Sequence, residues 1–236
     1  MTTALIIGAN GGIGAALVRA LAAAGRHDRI VAAARTEPAA LPPGVATARI
    51  DIADPASIER AAAAVGGPLH QVIVATGTLQ TAHGGPERSL RDLDPALLAD
   101  YFAVNTIGPA LVLRHFAPLL AKGERAVIAC LSARVGSISD NRLGGWYGYR
   151  ASKAALNQIV RTAAIELART RPQAVCVALH PGTVDTALSK PFRKGVAEGR
   201  LFTPAHSAGR LLAVLDTLTP VQSGRVFAWD GSEVAP

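Results

Sequence analysis

The segment Gly8-Ala9-Asn10-Gly11-Gly12-Ile13-Gly14 constrains this chain more than any other, because of what stands on either side of it. Residues 4–7 form a continuous apolar run of strand length. Residues 13–24 are rich in Ala and Leu and end at Gly25, the pattern of a helix with a glycine C-cap. Glycines between a strand and a helix permit a tight turn and let a ligand approach the backbone. The free N–H groups and positive dipole end of the helix then favour an anion. The spacing is G-x-x-x-G-x-G rather than G-x-G-x-x-G. Alone, such a loop is a weak signal; opening an alternating β-α series, it is a strong one.

The rest of the chain continues that alternation. Strand-like runs occupy residues 29–34, 45–50, 71–75, 125–131, 174–179 and 226–229. Between them, Asp54-Pro55, Asp94-Pro95 and Thr203-Pro204 each place a capping side chain before a proline at the first helical position. These pairs predict helices to residue 65, to about residue 121 and to about residue 216, with a further helix over 149–170. Gly108-Pro109 is expected to bend or interrupt the second of them. Continuous apolar strands alternating with helices predict a parallel sheet covered on both faces. Right-handed crossovers then give one doubly wound, Rossmann-type α/β domain over residues 1–236, with a seven-stranded, mainly parallel sheet. The irregular stretches 77–93, 133–148 and 181–202 all follow strands, so they should lie on the ligand side. Gly8, Asn10, Gly11, Gly12, Ile13 and Gly14 are expected to cradle a dinucleotide pyrophosphate there.

Composition narrows the alternatives. Half of the 236 residues are hydrophobic and 17% are charged, which favours a packed core over disorder. The net charge is +7, but the basic residues are scattered without a run of five, so no nucleic-acid partner is expected. Cys130 and Cys176 stand in apolar runs without C-x-x-C spacing, and the six histidines show no H-E-x-x-H pattern, so neither a disulfide framework nor a metal site is expected. No G-x-S-x-G elbow points to acyl transfer. Residues 1–7 lead into the glycine loop without a charged n-region, and no uninterrupted apolar stretch nears the roughly 20 residues of a bilayer span. A cytoplasmic protein without a membrane partner is the expectation.

Cofactor preference should be set at the end of the second strand. An acidic residue there would bind a ribose 2′-OH and repel a 2′-phosphate. This chain has Ala34-Arg35-Thr36 instead, and Arg35 is a planar, permanently charged donor suited to a phosphate. NADP(H) is therefore expected over NAD(H). Asp51-Ile52, after the third strand, is placed to meet the adenine edge; equally, Asp51 is placed to accept nearby loop N–H groups.

Tyr149-Arg150-Ala151-Ser152-Lys153 opens the helix after strand five, with Tyr149 and Lys153 one turn apart on one face. A neighbouring ammonium is expected to lower the phenol's pKa, so that Tyr149 exchanges a proton with a carbonyl or alcohol oxygen.

With these residues the chain resembles the short-chain dehydrogenase/reductase family over its whole length. GANGGIG at 8–14, Asp51, VNTIGP at 104–109, YRASK at 149–153 and HPGTVDT at 180–186 carry the likeness. GGWYGYRASKAALN at 144–157, RVGSI and GRVFAWDG are closest to the C-factor-like branch, which includes carbonyl reductases and cell-signalling factors. The resemblance implies that Asn105 anchors a proton-relay water and that Lys153 also binds the nicotinamide ribose. It also implies that Pro181, Gly182, Val184 and Thr186 line the nicotinamide side, and that the chain forms a homodimer or homotetramer through the helices at 94–121 and 149–170. The implied activity is hydride transfer between NADP(H) and a small ketone, aldehyde or secondary alcohol. A cofactor-binding signalling protein of C-factor type is the alternative.

Two departures bear on the site. Val74-Ala75-Thr76-Gly77 replaces the family's Asn-Asn-Ala-Gly; Ala75 and Gly77 keep room for the adenosine ribose beside Thr76. Counting back from Gly136, the family's catalytic serine position holds Ala133, with Ser132 one residue earlier. A one-residue shift along a strand turns a side chain to the other face, so Ser132 serves only if the loop re-aims it. Ser137, Ser139, or no serine at all are the other possibilities. His180 is expected to pack at a strand end. The basic stretch 190–194 lies where the family places a substrate lid; it is read as a solvated basic loop, with an acidic substrate as the alternative.

Overall fold

A computed structural model describes residues 1–192 and 199–236; Arg193 and Lys194 of the basic stretch lie outside the described residues. The chain runs β1 (Thr3–Ile7), α1 (Gly12–Ala24), β2 (Arg29–Ala34), β3 (Ala46–Arg49), α2 (Pro55–Val65), β4 (Gln71–Val74), α3 (Pro95–Phe102), α4 (Gly108–Phe116) and β5 (Ala126–Leu131). It continues with α5 (Tyr147–Thr170), β6 (Ala174–His180), β7 (Thr183–Val184), β8 (Leu201–Phe202), α6 (Pro204–Thr217) and β9 (Val226–Ala228). Seven strands form one sheet in the order β3-β2-β1-β4-β5-β6-β9, every pair parallel. The short β7-β8 pair, which the sequence pattern does not announce, stands apart from it.

Side chains alternate across each strand and divide the core in two. Leu5, Ile7, Val31 and Ile128 pack with Ile58 of α2, Val112 of α4 and Leu156 of α5. Ala4, Ile6, Ala32 and Val127 pack with Leu17 of α1 and Leu211 of α6 on the opposite face. Strands covered on both sides need apolar residues at every position, and β1 and β5 are buried throughout. The strand order reverses between β1 and β4, which opens a crevice at the carboxyl ends of the sheet.

Local chemistry sets the helix ends. Asp54 accepts from the Ala56 N–H, Asp94 from those of Ala96 and Leu97, and Thr203 from that of His206, each before a proline. The helix expected to bend or break at Gly108-Pro109 is interrupted by a π turn, Ala103–Ile107, just before them. A Cβ on Gly108 would come within 2.6 Å of the Ile52 carbonyl oxygen, so glycine lets α4 approach the loop after β3.

The run Pro95–Leu119 holds no uninterrupted apolar stretch of spanning length, yet it is apolar on average. It has 25 residues and a mean hydropathy of 1.5 in its most apolar window, long and apolar enough to cross a bilayer. Asp100 and Arg114 interrupt its apolar stretches, which is why uninterrupted length missed it. Leu97, Tyr101, Val112, Leu113 and Phe116 on this run are buried inside the protein.

Candidate active site

The glycine loop closes on itself and on its neighbours. Gly11 N–H donates to the Gly8 carbonyl at 2.9 Å, and a side chain on Gly14 would overlap that same carbonyl. Gly8, at φ +91°, lies so near the chain after β4 that a Cβ would stand 2.9 Å from the Ala75 oxygen. A Cβ on Gly12 would come within 2.7 Å of the Thr186 side chain. Helix α1 has no side-chain cap and no acid in its first turn. The start of α1 is thus closely flanked, by Ala75 and Thr76 at Gly8 and by Thr186 at Gly12. The Thr76 hydroxyl is buried there without a partner among the described residues, as a polar atom meant for a ligand would be. The residues present fit a dinucleotide pyrophosphate and its ribose.

At the outer corner, Asn10 donates to the Thr36 carbonyl at 2.8 Å and to its hydroxyl at 2.9 Å, tying the glycine loop to the turn after β2. Arg35 is exposed and, with Asp51 and Arg49, lines a cavity of about 610 Å³. Asp51 accepts from the Ala53 N–H at 3.0 Å, the loop-bracing role, and still faces that cavity. Ile52 is buried beside Gly108. On the far side, the Pro181 carbonyl accepts from Ser207, and Gly182 at φ +78° packs against Phe202 and Trp229. Val184 lies in β7, its carbonyl bonded by Ser189.

Tyr149 and Lys153 are both buried on α5. The Lys153 ammonium stands 5.9 Å from the centre of the Tyr149 ring and donates to the Leu131 carbonyl at 2.9 Å. Asn105, in the π turn, donates to the Thr78 carbonyl and to Ser152, and accepts from the Thr78 N–H. Gly77 completes the floor: a Cβ there would contact both Asn105 Oδ1 and Lys153 Nζ, at 3.4 and 3.5 Å. The structure thus brings together Asn105, Tyr149, Lys153 and Gly77 from three separate elements.

Two sequence expectations are corrected here. The net shift of the phenol is opposite to the one expected: burial, with a smaller effect from Tyr101, pushes the Tyr149 pKa up. Burial also pulls Lys153 down to about 8, partly opposed by Cys130. Ser132 is not aimed at Tyr149. Its hydroxyl donates to Asn157 Oδ1 at 2.7 Å, two turns along α5, while Ala133 packs against the cluster formed by Leu79, Leu97, Tyr101 and Tyr149. The loop does not offset the one-residue shift, and the strand's alternation prevails. Ser137 and Ser139 both donate to the Pro236 carbonyl. His180 packs at the end of β6, where burial lowers its pKa to about 4.

Three neighbours of Tyr149 escaped sequence reasoning. Tyr101 and Trp146 meet its ring edge-on, each with centroids 6.1 Å away. Glu87 is buried at the start of α5, and nothing in the polar stretch 77–93 distinguishes it from its neighbours.

A glycine loop at the switch point of a parallel sheet, with a buried Tyr-Lys pair across the crevice, is the arrangement of an α/β oxidoreductase. The short chain dehydrogenase family model matches residues 2–197, and the chain belongs to the short-chain dehydrogenase/reductase family, with C-factor-like relatives. A 1-hydroxy-2-glutathionyl-2-methyl-3-butene dehydrogenase of Rhodococcus sp. (strain AD45) is 33% identical over 240 residues, covering 98% of each chain. The C-signal of Myxococcus xanthus is 40% identical over 147 residues, 62% of this chain and 82% of that one. An NADPH-bound carbonyl reductase from chicken fatty liver superposes with a TM-score of 0.85 at 28% identity, over 99% of this chain and 98% of the other.

Proposed function

We propose that this protein is an NADP(H)-dependent carbonyl reductase or alcohol dehydrogenase in which Tyr149 is the general acid and base. The observation that carries this is the buried Tyr149–Lys153 pair on the floor formed with Asn105 and Gly77. When bound, the nicotinamide supplies or accepts the hydride. Tyr149, kept protonated by burial, donates its proton to the carbonyl oxygen in reduction; the phenolate left by that transfer is the form that takes a proton from the alcohol in the reverse direction. Lys153 holds positive charge beside the phenol and would bond the ribose. Asn105 keeps the π turn and the Thr78 backbone in register beneath them. Arg35 is suited to pair with the 2′-phosphate, and the NADPH-bound chicken enzyme supports that cofactor.

Purified protein should oxidise NADPH with members of a broad ketone and aldehyde panel, and Tyr149→Phe should lower kcat by at least about a hundredfold. Unchanged turnover in that variant overturns the acid-base role. We place no serine on the substrate carbonyl, since Ala133 occupies the family position. On this basis Ala133→Ser, which restores a donor, should raise kcat/KM roughly tenfold or more.

A signalling function of C-factor type is favoured by the same Ala133 and by the likeness to C-signal. It predicts a cellular phenotype that survives Tyr149→Phe but not loss of cofactor binding. Assembly through the helical stretches 94–121 and 149–170 is supported by Ile107 and Ile165, which are about half exposed; light scattering should give a dimer or tetramer.

A further inference from the structure

Helix α5 begins in an unusual way. Gly144 and Gly145 have φ near +64°, and Trp146, its N-cap residue, has φ +54° without a side-chain cap. A left-handed tryptophan is strained, so something outside the helix must hold it. Glu87 does this from the loop between β4 and α3. Both of its carboxylate oxygens stand 3.1 Å from the Gly148 nitrogen, and its carbonyl accepts from the Trp146 N–H at 2.6 Å.

Glu87 is 2% exposed and is the one buried acidic side chain among the described residues. No lysine, arginine or histidine among them pairs with it. A buried carboxylate without a cation needs other compensation, and here it has the first-turn N–H and the positive end of a 24-residue helix. The fit is close. A Cβ on Gly148 would lie 2.7 Å from Glu87 Oε1, 2.7 Å from the Tyr101 ring and 2.8 Å from Leu98. Tyr101 is itself fixed by its bond to the Leu79 carbonyl. The next residue after Gly148 is Tyr149, its ring flanked by Tyr101 and by Trp146.

We infer that Glu87 is a positioning residue for Tyr149: its buried carboxylate caps α5 at Gly148 and so sets the depth and direction of the phenol. The inference rests on the proposed acid-base role of Tyr149. A serine or aspartate N-cap would secure the helix alone. A glutamate from 61 residues away also secures the β4–α3 loop, so the phenol and the Leu79–Tyr101 wall move as one body. The phosphate cradle at α1 shares none of these contacts. Loosening Glu87 should therefore slow the proton-transfer step and spare cofactor binding, since small misplacements of a reacting group are costly in rate.

The test compares wild type with Glu87→Gln, Glu87→Ala, Gly148→Ala and the Glu87→Ala/Gly148→Ala double variant, and with Tyr149→Phe. It measures kcat and KM for a carbonyl from the panel, the NADPH Kd by fluorescence, and hydrogen exchange over residues 144–152. Glu87→Ala should lower kcat by about a hundredfold, leave the NADPH Kd within about twofold, and speed exchange at Gly148 and Tyr149 but not in α1. Glu87→Gln keeps one acceptor oxygen in place and should recover to within about tenfold of wild type. Gly148→Ala should resemble Glu87→Ala, and the double variant should be no worse than the poorer single one. Wild-type kcat and exchange in Glu87→Gln and Glu87→Ala overturn the inference. A parallel loss of kcat and NADPH affinity, with Gln no better than Ala, overturns it too. If Glu87→Ala does not fold, Glu87→Gln decides: a severalfold lower kcat at unchanged NADPH Kd upholds the role, and unchanged kcat with unchanged exchange removes it. Full turnover in Tyr149→Phe overturns the proposed acid-base role itself, whatever the Glu87 variants do.

Discussion

Lys153 carries its charge in a poor place for charge. It is 3% exposed, and burial lowers its pKa from 10.5 to about 8. Between those values the unfolded chain binds the proton and the folded chain does not, so stability rises with pH across that window. Below about pH 8 both states are protonated and the gain is absent. Tyr149 works in the opposite sense above about pH 10, where the unfolded phenol ionises and the folded one resists. Urea unfolding should therefore show wild type gaining on Lys153→Met by about 2 kcal/mol between pH 8 and 10. A constant difference across that range excludes the buried, titrating lysine. Arg35 makes a separate prediction at this scale. Arg35→Ser should raise the KM for NADPH at least about tenfold and leave that for NADH nearly unchanged, as steady-state kinetics with both cofactors will reveal.

At the scale of elements, the helix termini show local sequence acting most directly. Asp94 accepts two N–H bonds at 2.9 Å before Pro95, so Asp94→Ala should cost about 1 kcal/mol in chemical denaturation, without changing the NADPH Kd. The start of α5 shows the reverse. Its cap comes from Glu87 and its glycines are folded back by Arg150, which donates to the carbonyls of Gly144 and Gly145. No window of sequence around Trp146 contains the residue that caps it. The π turn at Ala103–Ile107 belongs to the same class: Gly108-Pro109 marks a break, but only the packing of Asn105 against Thr78 and Ser152 shows what the break is for.

For the whole molecule, the crevice at the sheet's carboxyl edge joins the glycine loop, the turns after β2, β4 and β6, and the start of α5. A ligand spanning it binds the folded state alone, so NADPH at a hundred times its Kd should stabilise the protein by about 2.7 kcal/mol, a Tm rise of roughly 5–10 °C. NADH at the same concentration should give a smaller rise, and equal shifts would remove the 2′-phosphate preference.

Sequence by itself determined the parallel, doubly wound sheet, the position of the glycine loop and the Tyr149–Lys153 spacing. Strand hydrophobicity, proline-led caps and helical periodicity are local properties, written within a few residues of where they act. The fold alone decided that Ser132 turns to Asn157 and leaves Ala133 near the phenol. It also decided that Thr76 has a hydroxyl unpartnered among the described residues and that Glu87 closes on Gly148. Those contacts join residues 25 to 61 positions apart or depend on which face of a strand looks inward. Burial likewise reversed the expected effect on the Tyr149 phenol, because desolvation depends on everything packed around a group and not on its neighbour one helical turn away.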